Sequence, residues 1–161
     1  MRYIAVIGSG SASAKEARAA QVIGAEIAKA GAVLVCGGLG GVMEAACKGA
    51  KSEGGTTIGI LPGLNRHDAN PHVDFPVATG LGEARNAIVA TCADAVIAIG
   101  GEFGTLSEIA FALRARKRVV AVDSWDLLRH GQPFQSTDYI PTDDPSIAVA
   151  IALGLDDENG V

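Results

Sequence analysis

Six short runs of apolar and β-branched residues recur along the chain and predict buried β-strands. They cover residues 3–7, 33–36, 57–61, 73–78, 95–99 and 118–122. Runs that are apolar throughout, without alternating polar positions, are typical of strands covered on both faces, as in a parallel sheet.

Helical patterns lie between most of these runs. The spacing predicts helices over residues 14–30, 41–53, 82–92 and 105–116, and a short one over 146–153. The positions expected to face the core are Ala20, Ile23 and Ile27 in the first helix, Ile88 and Cys92 in the third, and Leu106, Ile109, Ala110 and Leu113 in the fourth. This alternation predicts a right-handed, doubly wound, mostly parallel Rossmann-like sheet in a three-layer α/β/α arrangement. We expect a single domain over residues 1–155, followed by a flexible acidic tail at 156–161.

Composition and charge narrow the classes of function that this chain can have. Of 161 residues, 48% are hydrophobic and 19% charged, and the net charge is −5. Because the basic residues are scattered, a phosphate-backbone grip on nucleic acid is not expected. No apolar run approaches the length of a membrane span. Cys36, Cys47 and Cys92 are odd in number and form no C-x-x-C pair, which favours reduced, buried thiols in the cytoplasm.

Two glycine-rich turns stand between a predicted strand and a predicted helix. The first contains Gly37, Gly38, Gly40 and Gly41, and the second contains Gly100, Gly101 and Gly104 followed by Thr105. Glycine lets a ligand approach the main chain, and a helix start offers unpaired N–H groups and the positive end of its dipole. The two turns therefore predict a phosphate-binding site. Close packing of helix on sheet is the alternative for the first turn.

A third turn begins at Gly8 and Ser9, directly after the first strand. It resembles half of a dinucleotide fingerprint, but no acidic residue ends the second strand to hold the ribose of NAD. A serine-capped strand-to-helix turn is an equally good interpretation of this segment.

Arg85 and Glu108 are the candidate catalytic residues. Arg85 lies near the start of the predicted helix over 82–92, where a cation is disfavoured unless an anion pairs with it. That anion is either a ligand or a carboxylate such as Glu83 or Asp74. Glu108 lies near the start of the fourth helix, where the dipole also favours an acid for purely structural reasons. Thr105 and Ser107 would either cap this helix or bind phosphate oxygens.

We expect no metal site. His67, Asp68, His72 and Asp74 lie in one loop, but their spacing fits no familiar ligand pattern. The sequence also lacks G-x-x-x-x-G-K-[ST], which excludes P-loop chemistry.

These motifs together resemble the Lonely Guy-type phosphoribohydrolases, within a wider Rossmann-like group that includes the molybdenum cofactor carrier protein. The family signature P-G-G-x-G-T-x-x-E corresponds to residues 100–108, and its arginine fifteen residues earlier corresponds to Arg85. The glycine turn G-G-G-x-x-G-x-M corresponds to residues 36–43. The chain departs from the signature at Gly100, Glu102 and Asn86, and it is most similar to a short subgroup near the cofactor carriers.

The resemblance implies one of two functions. The first is hydrolysis of the N-glycosidic bond of a nucleoside monophosphate such as AMP, with no cofactor required. In this hypothesis the glycines and Thr105 hold the phosphate, Arg85 neutralises it, and Glu108 stabilises the oxocarbenium-like transition state or activates water. The alternative is a non-catalytic carrier or sensor of a phosphorylated cofactor such as the molybdenum cofactor. The resemblance also implies a homodimer or homotetramer.

Overall fold

The central sheet of the computed structural model has seven strands, and every pair of neighbours in it is parallel. The structure describes residues 1–133 and 138–155, so the predicted acidic tail at 156–161 lies outside the described residues. In the order β4-β3-β2-β1-β5-β6-β9, the strands are Phe75–Ala78, Thr57–Leu61, Val33–Cys36, Tyr3–Gly8, Ala95–Ile99, Arg118–Val122 and Tyr139–Thr142. Two further strands, β7 (Leu128–Arg129) and β8 (Gln132–Pro133), form a short antiparallel hairpin.

Helices cover both faces of this sheet. They are α1 (Ala14–Lys29), α2 (Val42–Ser52), α3 (Asn86–Cys92), α4 (Phe103–Arg114) and α5 (Pro145–Leu153). One core cluster joins α1, α2 and α5 to the sheet, and a second joins α3 and α4 to its other face. The predicted single-domain, three-layer, doubly wound fold is confirmed.

The first helix follows the sequence prediction closely. Ser13 caps α1 by accepting a hydrogen bond from the Glu16 N–H, while the Glu16 side chain accepts one from the Ser13 N–H. This reciprocal arrangement satisfies two donors that a helix start leaves unpaired. The predicted face formed by Ala20, Ile23 and Ile27 is fully buried.

The predicted core faces of α3 and α4 need correction. Val89 and Ala90 are the buried residues of α3, whereas Ile88 and Cys92 are exposed. In α4 the buried stripe consists of Thr105, Glu108, Ile109 and Ala112, and of the predicted face only Ile109 belongs to it. The helix is rotated relative to the predicted core face, because two of its polar side chains, Thr105 and Glu108, line a cavity beside the sheet. The spacing of apolar residues alone cannot predict this rotation, because the side chains that cause it are polar.

Several element bounds also differ from the prediction. The strand expected over 73–78 begins at Phe75, and the N–H of Asp74 just before it donates across the sheet to the Thr57 carbonyl. The helix expected over 82–92 is split into a 3-10 turn, Gly82–Arg85, and α3. The helix expected over 105–116 begins at Phe103 and ends at Arg114. No strand was expected at Tyr139–Thr142, where β9 pairs with β6.

A membrane-spanning helix is not found in the described part of the chain, since none of its helices combines the length and the apolar composition to cross a bilayer.

Candidate functional site

A cavity of about 350 Å³ opens at the carboxyl ends of β1 and β5. These strands are neighbours in the sheet, but the chain leaves β1 toward β2 on one side and leaves β5 toward β6 on the other. The connections after the two strands therefore diverge and leave a crevice between them, which is where doubly wound sheets bind ligands.

The start of α4 forms one wall of the cavity. Gly104 and Thr105, in its first turn, line the cavity together with the preceding residue, Glu102. The Glu102 side chain makes no capping hydrogen bond, and the first intrahelical bond is donated by the Leu106 N–H to the Glu102 carbonyl. The N–H groups at the start of the helix are thus left for solvent or an anion, and the helix dipole favours negative charge there.

Arg85 is buried against the same cavity. Its side chain is 10% exposed, and its Nη2 donates to the Gly37 carbonyl over 3.4 Å. Nη1 donates to Asn86 Oδ1, whereas Nε is buried and has no hydrogen-bond partner. Burial lowers the pKa of Arg85, against the effect of Glu108, but an arginine remains charged at neutral pH. The site therefore contains a positive charge whose hydrogen-bonding capacity is not used up.

Glu108 faces Arg85 across this cavity. Its Oε1 lies 3.9 Å from Arg85 Nη1, a distance too long for a hydrogen bond, and its side chain is only 7% exposed. Burial raises the pKa of Glu108 to about 7, because the lost hydration outweighs the attraction to Arg85. Near neutral pH this carboxyl group therefore exists in both protonation states, as a general acid–base group requires.

The predicted glycines divide into two groups by their position. Gly8, Gly37 and Gly104 line the cavity together with Ser9. A Cβ on Gly37 would lie 2.8 Å from Arg85 Nη2, so glycine is needed there for the guanidinium to reach the main chain. The remaining members of the first turn, Gly38, Gly40 and Gly41, do not border the cavity.

Close packing accounts for two of these other glycines. Gly38 has a φ of +77°, and a Cβ on it would lie 2.8 Å from the Leu61 side chain. Gly41 has a φ of +63° and lies against the main chain of Ser9 and Gly10. These two positions fit the packing interpretation of the turn, and their contact with a ligand stays a prediction.

The second glycine turn faces away from the cavity at its start. Gly100 and Gly101 border a separate surface depression, and Glu16 Oε1 lies where a Cβ on Gly100 would stand. A Cβ on Gly101 would overlap Thr105. Only the later part of this turn, from Glu102 onward, reaches the cavity. The interaction of these two glycines with a ligand stays a prediction.

Asn70 is a supporting residue that the sequence analysis did not single out. It is 8% exposed, its Nδ2 donates to the Leu39 carbonyl, and its N–H donates to the Gly38 carbonyl. The long loop after β3 thereby holds the first glycine turn in place. The signal that would have found it is the Asn directly before Pro71, in a loop that must fold back onto a strand end.

The remaining cavity wall is partly apolar. Leu39, Met43 and Pro62 line one part of it, and the carboxylates of Glu83 and Glu102 lie at its rim. An apolar wall suits a flat ring, while carboxylates accept hydrogen bonds from N–H or O–H donors. The cavity therefore combines groups that attract an anion with an apolar wall and carboxylate acceptors that suit a donor-bearing ring.

The alternative left open for Asp74, a salt bridge to Arg85, is decided by the geometry. Asp74 pairs with Lys51 at 2.8 Å and not with Arg85. Within residues 1–133 and 138–155, no three His, Cys, Asp or Glu side chains form a group that could hold a metal ion.

Two of the three cysteines lie directly behind the first glycine turn. The Sγ atoms of Cys36 and Cys47 are 3.5 Å apart and both residues are buried, as predicted. The hydrogen bond with Cys36, together with burial, raises the pKa of the Cys47 thiol. Cys92 was also expected to be buried but is exposed, because α3 turns its other face to the core.

Comparison with known sequences identifies the family. The profile of the SLOG cluster4 family matches residues 1–149. The chain belongs to the SLOG cluster4 family. An uncharacterised protein from Archaeoglobus fulgidus is 48% identical to this SLOG cluster4 protein over 122 residues, which are 76% of the chain and 80% of the relative.

Solved structures of similar proteins have the same fold. The molybdenum cofactor binding protein of Rippkaea orientalis is 36% identical to this SLOG cluster4 protein, with a TM-score of 0.84 over 96% of both chains. The Moco carrier protein of Chlamydomonas reinhardtii is 35% identical, with a TM-score of 0.83 over 98% of both chains. The resemblance found in the sequence, to the subgroup near the cofactor carriers, is confirmed.

Proposed function

We propose that this SLOG cluster4 protein is a carrier that binds a phosphorylated small molecule in the cavity between β1 and β5. The observation that carries the proposal is Arg85, a buried cation with an unpartnered Nε, facing a cavity that also holds the uncapped start of α4. Two sources of positive potential converge there, and an anion would satisfy both.

The molybdenum cofactor, a phosphorylated pterin, is the ligand class that we favour. The start of α4 and Arg85 suit its phosphate, and the wall of Leu39 and Met43 suits the edge of a flat ring system. The carboxylates at the rim are acceptors for the N–H groups of a pterin. The names of the Rippkaea and Chlamydomonas proteins support the same class of ligand.

The experiment that tests this proposal identifies what the protein carries. The protein is purified from a host that makes the cofactor and denatured, and the released material is measured by mass spectrometry and by the fluorescence of oxidised pterins. We expect a phosphorylated pterin in the wild type and at least about a tenfold lower yield from Arg85→Ala.

Arg114→Ala is the matched control, because Arg114 is an exposed arginine at the end of α4, away from the cavity. It should carry as much pterin as the wild type. Equal yields from Arg85→Ala and the wild type would contradict the proposed site, and release of AMP or another nucleotide in place of pterin would contradict the favoured ligand.

Hydrolysis of a nucleoside monophosphate is the second candidate, and the Arg85–Glu108 pair is the observation that favours it. With the phosphate held at α4, Arg85 would neutralise charge on the ligand. Glu108, whose pKa lies near neutrality, would stabilise an oxocarbenium-like transition state as a carboxylate or activate the attacking water. The water oxygen bonds to C1′ as the bond between C1′ and the base nitrogen breaks, and the proton that the water loses passes through Glu108 to the base. The products are the neutral base and ribose 5-phosphate.

Incubation with AMP separates the two candidates. An enzyme releases adenine at a rate that falls at least about 100-fold in Glu108→Gln, as expected when a general acid–base group is lost. A carrier binds AMP or pterin without releasing the base. The amount of free adenine then stays at the uncatalysed background in both the wild type and Glu108→Gln.

We also propose that the protein is a homo-oligomer that associates through the apolar surface beside α4. Leu106, Ala110 and Leu128 border an open apolar groove there, and Phe111 is 41% exposed on the same helix. Ala110→Glu should shift the mass in sedimentation toward the monomer, whereas Gln21→Glu, exposed on α1 across the sheet, should not. A wild type that sediments as a monomer would contradict this assembly.

The proposed compartment is the cytoplasm, which suits reduced thiols such as the buried pair Cys36 and Cys47. Cell fractionation checks it: the protein should be found with cytoplasmic markers.

A further inference from the structure

Arg85 and Glu108 lie close together but are not joined by a hydrogen bond. The guanidinium is bound by neutral acceptors, namely the Gly37 carbonyl and Asn86 Oδ1. Glu108 approaches it only to 3.9 Å. The position of Arg85 therefore does not depend on the ionisation of Glu108, and a change in the charge of Glu108 alters the potential of the site without dismantling it.

An anion that binds to Arg85 and to the start of α4 would lie beside Glu108. Glu108 and Thr105 are one helical turn apart on the buried stripe of α4, and both line the cavity. A carboxylate and a bound anion at such short range in a partly buried site repel strongly, because little water is present to screen them. Protonation of Glu108 removes the repulsion and leaves the charge of Arg85 free for the ligand.

The other titratable groups around the cavity cannot replace Glu108 in this role. Glu83, before α3, and Glu102, before α4, are exposed, so water screens their charges. Cys36, at the end of β2, does not line the cavity: it is fully buried, its Sγ lies 3.5 Å from that of Cys47, and it accepts a hydrogen bond from the Gly38 N–H. Glu108 is the buried carboxyl group among the described residues that line the cavity.

We propose that anion binding in this cavity is coupled to the uptake of one proton by Glu108, so that the ligand is held at slightly acid to neutral pH and released above it. The inference rests on the proposed function and adds a means of regulation to it. No covalent step is involved: solvent supplies the proton, and the carboxylate becomes a neutral carboxyl group that no longer opposes the anion.

The pH range of the effect follows from burial, which raises the pKa of Glu108 to about 7. Below this value the carboxyl group is already neutral and affinity is insensitive to pH. Above it each bound anion requires one proton, and affinity falls about tenfold per pH unit.

Inorganic sulfate is the probe, because it keeps the same charge throughout the measured range. Its affinity for the full-length protein is measured by isothermal titration calorimetry between about pH 6 and pH 9, in two buffers of different ionisation enthalpy, which counts the protons taken up. AMP is titrated in parallel. We expect close to one proton per sulfate above pH 7 and a tenfold loss of affinity per unit in the wild type.

Glu108→Gln should bind sulfate with an affinity that does not change with pH and with no proton uptake. Glu53→Gln, which neutralises an exposed carboxylate at the end of α2 away from the cavity, is the matched control and should keep the full pH dependence of the wild type. The proton count on the wild type alone decides the question if Glu108→Gln fails to fold.

The outcomes separate this inference from the proposed function. Wild-type binding of sulfate and AMP without proton uptake beyond the titration of the AMP phosphate itself would overturn the coupling and leave the anion site intact. A wild type that binds neither sulfate nor AMP at any pH would overturn both.

Discussion

Asn70 and Leu39 are joined by a hydrogen bond between the Asn70 side-chain Nδ2 and the Leu39 carbonyl, 2.9 Å long and spanning 31 residues of sequence. The backbone N–H of Asn70 donates in addition to Gly38, and its Oδ1 accepts from the His72 N–H. One buried side chain thus ties the loop after β3 to the turn after β2, on whose position Gly37 and the Arg85 guanidinium depend.

Asn70→Ala should lower both stability and ligand affinity. It removes two hydrogen bonds, those of the half-buried Leu39 carbonyl and of the His72 N–H, which together contribute about 1–3 kcal/mol to the free energy of unfolding. Chemical denaturation measures that loss, and calorimetry with AMP measures the affinity. Asn65→Ala, which removes the exposed cap of the 3-10 turn that follows it, is the control and should leave AMP affinity unchanged. Unaltered affinity in Asn70→Ala would show that the turn needs no such support.

Gly24→Ala should destabilise the protein, although alanine is normally the better helix former by about 1 kcal/mol. A Cβ on Gly24 would lie 1.9 Å from the Ala46 carbonyl oxygen, so α1 and α2 would have to separate, at a cost of about 1–3 kcal/mol. Thermal unfolding measures the change. The control is Gly104→Ala in α4, where the nearest atom would be Asn86 Nδ2 at 3.8 Å; it should melt at or above the wild-type temperature. A stabilised Gly24→Ala would refute the close approach.

Stability should fall as the pH rises toward 7 because of Glu108. Its pKa is about 7 in the folded protein against an ordinary value of 4.5, so the folded state binds more protons than the unfolded state between these two values. The contribution is fully present below the unfolded pKa and is lost as the pH passes the folded one, by about 3 kcal/mol at most. Urea denaturation at pH 5 and pH 8 should show this decline in the wild type and a smaller one in Glu108→Gln. Equal declines in the two proteins would contradict the raised pKa.

Thiol labelling should distinguish Cys92 from the other two cysteines. Cys92 is exposed, whereas Cys36 and Cys47 are buried, so a maleimide should modify one thiol in the native protein and three after denaturation. Although the residue is exposed, its Sγ lies partly covered beside the Val89 carbonyl, and this partial burial raises the pKa of Cys92. Its labelling should therefore be slow at pH 7 and faster at pH 9. Mass spectrometry counts the labels, and rapid native labelling of all three thiols would be inconsistent with this packing.

The sequence predicted the strands of the central sheet well, because continuous apolar runs such as Ala95–Ile99 have no alternative to burial on both faces. The prediction failed where residues are buried for a reason other than apolar packing, and where a strand is only partly buried. The core face of α4 was mispredicted because Thr105 and Glu108 are buried beside a cavity and not in an apolar core. The last strand, Tyr139–Thr142, was missed because an edge strand is half-exposed and carries a weak pattern.

The sequence by itself determined the fold and the charged residues, Arg85 and Glu108, that lie beside the carboxyl edge of the sheet. It did so because the hydrophobic period, the glycine turns and the helix starts are local properties of the chain. Tertiary structure alone decided which glycines line the cavity, that Asn70 supports the first turn, and that Arg85 and Glu108 are 3.9 Å apart with their charges held separately. Those relationships join residues tens of positions apart, and their energies depend on distance and exclusion of water, which exist only once the sheet has brought the strand ends together.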